Sequence, residues 1–255
     1  MPPFWISIAT LGILQAALVA VPRSPMPSLP WGLGELGSRW WALVPAGSIV
    51  VVIAAVDLAE GSAAFLTYLA LVAVPPLAAV ALGGLVRGAR PWWALAAIPL
   101  FALAWGAVGG LAGETAATVL SGLSCVALGW LLVSLVPAHL LRWGIYGMAA
   151  IDAVLVAGDL LQGPNSVLSV AAPAADLPRL QVADFGSARM GFGDLFVAGL
   201  VGCLLAAEGR RQLSCALLVA VLALSFDLLF FAVDELPATV PVAVALGLSY
   251  RRPTS

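Results

Sequence analysis

Residues 143–161 read WGIYGMAAIDAVLVAGDLL. The run is apolar for nearly the length of one bilayer crossing, which takes roughly 20 residues of helix. Yet it holds two acids, Asp152 and Asp159. A carboxylate inside a membrane span is costly and marks function by default. Asp152 stands nine residues past Trp143, roughly 13 Å along a helix rising 1.5 Å per residue, which puts it near mid-bilayer. Asp159 is seven residues further on, on much the same helical face and closer to the following loop.

The rest of the chain shares this character. Its 255 residues are 62% hydrophobic and 9% charged, with a mean hydropathy of +1.08. Soluble domains carry about a quarter charged residues, so this composition excludes an ordinary cytosolic enzyme and a disordered tail. A net charge of -2 offers no basic face for phosphates and excludes a nucleic-acid binder. Apolar runs between short polar turns predict nine crossings in a single membrane domain over residues 1–255. They are Phe4–Val21, Trp40–Ala59, Ala63–Val86, Trp92–Ala112, Ala116–Val136, Trp143–Leu161, Gly191–Ala207, Gln212–Val233 and Leu236–Tyr250. The expected fold class is all-α and polytopic. Residues 1–142 hold five helices, and residues 143–255 hold four, with a loop at 162–190. The first run lacks both a basic leader and a small-residue cleavage site, so it reads as a retained helix. Pro75-Pro76 should kink the third run, because proline removes helix hydrogen bonds. Pro237 and Pro241 should leave the start of the ninth irregular.

All eleven basic residues are Arg. With nine crossings, Arg23, Arg39, Arg87, Arg90, Arg142, Arg210, Arg211, Arg251 and Arg252 share one side, and Arg179 and Arg189 take the other. The positive-inside rule then predicts an external N-terminus and a cytoplasmic C-terminus. The loop at 162–190 would face outward. Trp40, Trp41, Trp92, Trp93 and Trp143 each follow an Arg-bearing loop, as interfacial anchors do.

Most other ionisable groups have plain roles. Asp57 and Glu60 fall at a span end, and Glu114, Asp234 and Glu235 in turns. His139 is the single histidine and is expected in a loop beside Pro137 with Arg142. One histidine so placed argues against Ser-His or Cys-His nucleophilic chemistry and against a His-based zinc site. Cys125, Cys203 and Cys215 lie in apolar runs without metal-ligand spacing and read as small core residues. No metal is expected. Asp152, Asp159, Asp194 and Asp227 stay inside spans. Two carboxylates sharing a low-dielectric site divide their work, one keeping a proton while the other stays charged. Such a pair can activate water and protonate a carbonyl oxygen, with no cofactor. Membrane acids equally bind protons or cations in transporters.

Residues 190–196 read MGFGDLF. The stretch Gly191-Phe192-Gly193-Asp194 resembles the GxGD signature of intramembrane aspartyl proteases, the presenilin and signal peptide peptidase family. Its context agrees. Asp152 lies in the preceding span, where the family carries its first catalytic Asp. Pro237-Ala238-Thr239 opens the last span and resembles the family's Pro-Ala-Leu motif, with Thr in place of Leu. The family's usual Tyr before the first Asp is here Ile151. The resemblance covers the nine-span topology, with its sequence signal in about residues 143–245.

The resemblance implies an aspartic endopeptidase that hydrolyses peptide bonds within transmembrane segments or signal-peptide remnants. Asp152 and Asp194 would be catalytic, with Asp159 the fallback acid. Gly191, Phe192, Gly193, Pro237, Ala238 and Thr239 would shape the substrate site. Leu177–Ala183 could pair as a strand with an extended substrate. The expected partners are transmembrane peptide substrates and the lipid bilayer, without nucleic acid, and homo-oligomerisation is compatible with such a chain. The expected location is a bacterial plasma membrane. Orientation places the chain with the signal peptide peptidases, whose substrates enter with a cytoplasmic N-terminus. Two rival readings are a prepilin-peptidase-like protease, which lacks support here from Cys-x-x-Cys pairs, and a small proton- or cation-coupled permease using Asp152, Asp159 and Asp227. The permease reading predicts inverted repeats, and the sequence displays none.

Overall fold

The computed structural model describes residues 2–28, 62–158, 177–233 and 235–251. Helix α1 spans Phe4–Ala20 and α2 spans Ser62–Val80, continued by a π-helical turn at Ala81–Leu85. A 3-10 turn at Pro91–Ala96 leads into α3, Ala97–Gly106. Then follow α4, Leu111–Leu135, and α5, Ala138–Ala157. Strands β1, Val182–Phe185, and β2, Ala188–Gly191, form an antiparallel hairpin. Helix α6 is Phe192–Ala207, α7 is Gln212–Asp227 with a 3-10 turn at Leu228–Phe231, and α8 is Thr239–Arg251.

The chain is mostly helical and has the marks of a membrane protein. Among the described residues, four helices are long and apolar enough to cross a bilayer: Phe65–Leu85, Leu111–Leu135, Ala138–Ala157 and Gln212–Phe231. Phe4–Ala20, Pro91–Gly106 and Phe192–Ala207 are apolar but shorter. The expected second crossing, Trp40–Ala59, lies outside the described residues. The expectation of an all-α chain needs one amendment, the hairpin, which occupies part of the expected external loop. The fifth helix in the described order starts at Ala138, not Trp143, so His139 and Arg142 sit in its first turns and not in a loop. Helix α2 runs on through Pro75 and Pro76, and its irregular turn falls later, at Ala81–Leu85.

The bundle has two distinguishable ends. At one, the N-terminus of α1, the start of α4 and the hairpin turn meet. Ser187 N–H donates to Ser7 Oγ at 3.3 Å, and Gly186 N–H donates to Glu114 Oε2 at 2.8 Å. At the other, Pro22 bridges Val86, and Arg23 N–H donates to Leu85 O at 2.8 Å. Gln212, buried at that end, accepts from Arg87 at 2.6 Å and donates to Pro22 O at 2.9 Å. Arg142 and Arg210 both stack on the Tyr250 ring there, at 4.6 and 4.0 Å from its centroid. Arg23, Arg87, Arg142 and Arg210 thus gather at one end, while Arg189 belongs to the hairpin at the other.

Helix α6 is the axis of this bundle. Leu195 and every residue from Val197 to Ala206 are buried. Small residues let its neighbours approach closely, as is usual where lipid gives no hydrophobic drive. A Cβ at Gly129 of α4 would stand 3.0 Å from Leu200 Cα, and one at Gly199 would stand 3.0 Å from the Cys125 backbone. Cys203 donates its thiol to Val126 O at 3.4 Å in the same seam. With 16 residues, α6 reaches about 24 Å, short of a hydrocarbon core of about 30 Å.

Candidate active site

Three chain segments converge where α6 begins. Asp194 is the third residue of α6, and its Oδ2 accepts the Gly191 N–H at 3.1 Å. The carboxylate therefore caps the helix that carries it, satisfying a backbone donor that helix geometry leaves free. Gly191 and Gly193 on either side of Phe192 are exposed, and Asp194 is partly so. Backbone approach to Asp194 is open on this side, as the glycines of the motif suggest.

Asp152 comes to the site on α5, five residues before the helix ends at Ala157. That is about 7 Å from the helix end at 1.5 Å per residue, nearer the hairpin end than a start at Trp143 implies. Its Oδ2 accepts two bonds from one residue of α8: the Thr239 hydroxyl at 2.6 Å and the Thr239 N–H at 3.4 Å. The hydroxyl bond is short, as bonds to a charged acceptor are. The two acids, 42 positions apart in the chain, are brought to one junction: Thr239 bonds Asp152, and the carbonyl of the preceding Ala238 accepts from the same side-chain amide as the Asp194 carbonyl.

The start of α8 is as irregular as its prolines demand. Pro237 and Ala238 precede the helix, which begins at Thr239, three residues later than the expected Leu236. Pro241 has no N–H to return to the Pro237 carbonyl, and that carbonyl accepts from Val240 at 3.1 Å instead. The turn leaves the Thr239 N–H free to meet Asp152.

A fourth contributor comes from α1. Gln15 is 1% exposed, in the middle of an apolar helix. Its Nε2 donates to Asp194 O at 3.4 Å and to Ala238 O at 3.2 Å. Sequence reasoning passed over it. The available signal was a lone amide in the run Phe4–Val21, where an unpartnered polar group is expensive.

The hairpin delivers the chain to Asp194. Gly186 turns it with φ +62°, a conformation other L-residues adopt at a cost. Helix α4 grips β1: Thr118 Oγ1 donates to Asp184 O at 3.1 Å, and Ser121 Oγ donates to Leu180 O at 2.9 Å. Glu114, expected in a turn, is instead in the first turn of α4 and holds the hairpin tip. Of the stretch Leu177–Ala183, only Val182 and Ala183 are strand, and they pair with β2 of the same chain. The register sets Phe185 opposite Ala188 across the two-residue turn. Backbone groups of Asp184 on β1, and of Arg189 and Gly191 on β2, therefore point outward. Arg189 and Gly191 are exposed. The Arg189 side chain pairs with Asp184 at 2.6 Å.

Other expected acids stand apart or beyond view. Asp159 lies outside the described residues. Asp227, on α7, has its Oδ2 buried without a hydrogen-bond partner, near Gly12 of α1. Phe4 packs on Phe230 and Trp5 on Phe231 close by. His139 sits at the start of α5, thirteen residues from Asp152. Cys125, Cys203 and Cys215 are buried free thiols. Among the described residues, no three His, Cys, Asp or Glu side chains converge to hold a metal ion. No family model, no curated protein and no solved structure matches the chain.

Proposed function

We propose that the chain is an intramembrane aspartyl protease of the presenilin and signal peptide peptidase type, with Asp152 and Asp194 as its catalytic pair. The observation that carries this reading is the convergence of three distant motif positions. Thr239 of the Pro-Ala-Thr stretch bonds Asp152 of the helix before the GxGD stretch, and the carbonyls of Ala238 and of Asp194 accept from one side-chain amide, that of Gln15. The resemblance pairs the same three segments.

In the mechanism, the two carboxylates share one proton. The charged one takes a proton from a bound water, whose oxygen attacks the scissile carbonyl carbon. The protonated one donates to the carbonyl oxygen, giving a gem-diol. Proton return to the amide nitrogen releases amine and acid, and no acyl-enzyme forms. The hydroxyl of Thr239 holds Asp152 in place through these steps. An extended substrate adding along the outward edge of β2, at Arg189, would be led to Asp194.

The nine crossings belong to this proposal. The eight described helices would supply eight of them, and the apolar sequence run Trp40–Ala59 the ninth. The grouped Arg residues support a cytoplasmic face at the C-terminal end of α1 and an external hairpin, in a bacterial plasma membrane. Substrates are then single spans entering with a cytoplasmic N-terminus. Asp227 lies against Gly12 of α1, one turn from Gln15, and its buried Oδ2 makes no hydrogen bond to Asp152 or Asp194.

The test is cleavage of a model transmembrane peptide by purified protein in lipid. Asp152→Ala and Asp194→Ala should each lower turnover by at least about 10²-fold, the lower range for a positioned acid or base, and a gem-diol mimic should inhibit. Full cleavage by Asp194→Ala would refute the proposal.

A further inference from the structure

Gln15 Nε2 carries two protons, and both are aimed at backbone carbonyls, Asp194 O and Ala238 O. The partners fix the amide's orientation. The reversed amide would set Oε1 against two oxygens. No apolar side chain could do the same work, because one nitrogen here makes two bonds from a fully buried position.

The two carbonyls are not arbitrary. One belongs to the residue that bears a carboxylate of the pair. The other belongs to Ala238, which precedes Thr239, and Thr239 gives both its N–H and its hydroxyl to Asp152. A continuous route therefore runs from Asp194 through Gln15, Ala238 and Thr239 to Asp152. The segments joined are 179 and 223 positions from Gln15 in the chain. The close seam between α1 and α6 supports the tie. A Cβ at Gly202 would meet Leu18 O at 2.6 Å, so the two backbones lie nearly in contact about one turn past Gln15.

We propose that Gln15 is a positioning residue for the aspartate pair, so that one amide on the first helix sets the separation of the Asp152 and Asp194 carboxylates. The kinetic consequence rests on the protease reading, and the structural one on the hydrogen bonds alone. Titratable groups on the elements packed around the amide are Asp194 on α6, Asp152 on α5 and Asp227 on α7, whose Oδ2 lies beside Gly12 one turn before Gln15; α8 brings Thr239, which is neutral. Displacing one carboxylate relative to the other changes how they share a proton, which is a property of the pair.

The experiment uses the full chain in lipid with Gln15→Met, which keeps the length and removes both donors. Gln15→Glu keeps the shape and donates only when protonated. Gln15→Asn keeps the amide one methylene short, and stands in should Gln15→Met fail to fold. On a model transmembrane peptide, Gln15→Met should lower kcat between tenfold and a hundredfold, the scale of a small misplacement of reacting groups, with KM within about twofold. Its pH–rate limbs should move, and Gln15→Glu should recover activity as pH falls. Unchanged kcat and pH limbs in Gln15→Met, beside a wild type that cleaves, would overturn the positioning role and leave the protease reading intact. Infrared titration of the protonated-carboxyl band reads the pair without any substrate. A Gln15→Met curve displaced from wild type and approaching that of two independent carboxyls supports the proposal even if no peptide is cut. A superimposable curve overturns it.

Discussion

Thr239 occupies the place where the resembling motif has leucine, and its hydroxyl explains the exchange. A leucine could not donate to Asp152, whereas threonine does so at 2.6 Å. The extra bond holds the Asp152 carboxylate in one rotamer and satisfies an oxygen that would otherwise face the bundle. Thr239→Val should lower kcat for transmembrane-peptide cleavage by about tenfold, from loss of one hydrogen bond to a charged group worth about 1.5–3 kcal/mol, partly offset by the backbone bond. Thr239→Ser should stay within about threefold of wild type, a difference steady-state kinetics resolves. At this scale the sequence was informative about the acids and less so about what holds them. Asp152, Asp194 and Thr239 could be named from motif spacing. Gln15 could not, because its partners are backbone carbonyls, which leave no trace in side-chain patterns.

Among the elements, the hairpin is the one that hydropathy alone missed. Its strands are four residues each, and only β2 alternates buried with exposed positions. They sit inside a stretch that also reads as a polar loop. Its stability comes from outside, from Glu114, Thr118 and Ser121 of α4 and from Ser7 of α1. Gly186→Ala should destabilise it by about 1–2 kcal/mol from backbone strain alone. The added Cβ would also meet Pro2 and the Ser7 hydroxyl at 2.6 Å. Faster limited proteolysis between Phe185 and Ala188 is the expected sign. Helix positions were easier to read than helix ends. Long apolar runs announced α2, α4, α5 and α7, while α5 began five residues early because Ala138–Arg142 continues a helical pattern that polar His139 and Arg142 disguise. At the seam of α4 and α6, Gly129→Leu should cost about 1–3 kcal/mol by overpacking. A lowered Tm in detergent would register it.

For the whole molecule, the sorting of arginines to one end makes a topological prediction that can be read from intact cells. The three native cysteines are buried, so a single introduced thiol reports its own side. Ser187→Cys, at the exposed hairpin tip, should react with a membrane-impermeant maleimide added outside, while a cysteine at Gly209 should react only after lysis. The reverse pattern would invert the orientation and with it the expected direction of substrate entry. The three-dimensional meeting of α1 with α6 and α8 lay beyond sequence reading for a simple reason: nothing in α1 but one amide distinguishes its inward face.

That same meeting has a consequence for biosynthesis. Gln15 leaves the ribosome 223 positions ahead of Ala238. Both aspartates are translated before Thr239 exists to hold Asp152. A nascent chain at that stage carries the acids without their tie. Contacts of such long separation form late in any assembly order. The elongating chain therefore holds both acids before α8 is made, and the bond that fixes Asp152 forms only once α8 docks.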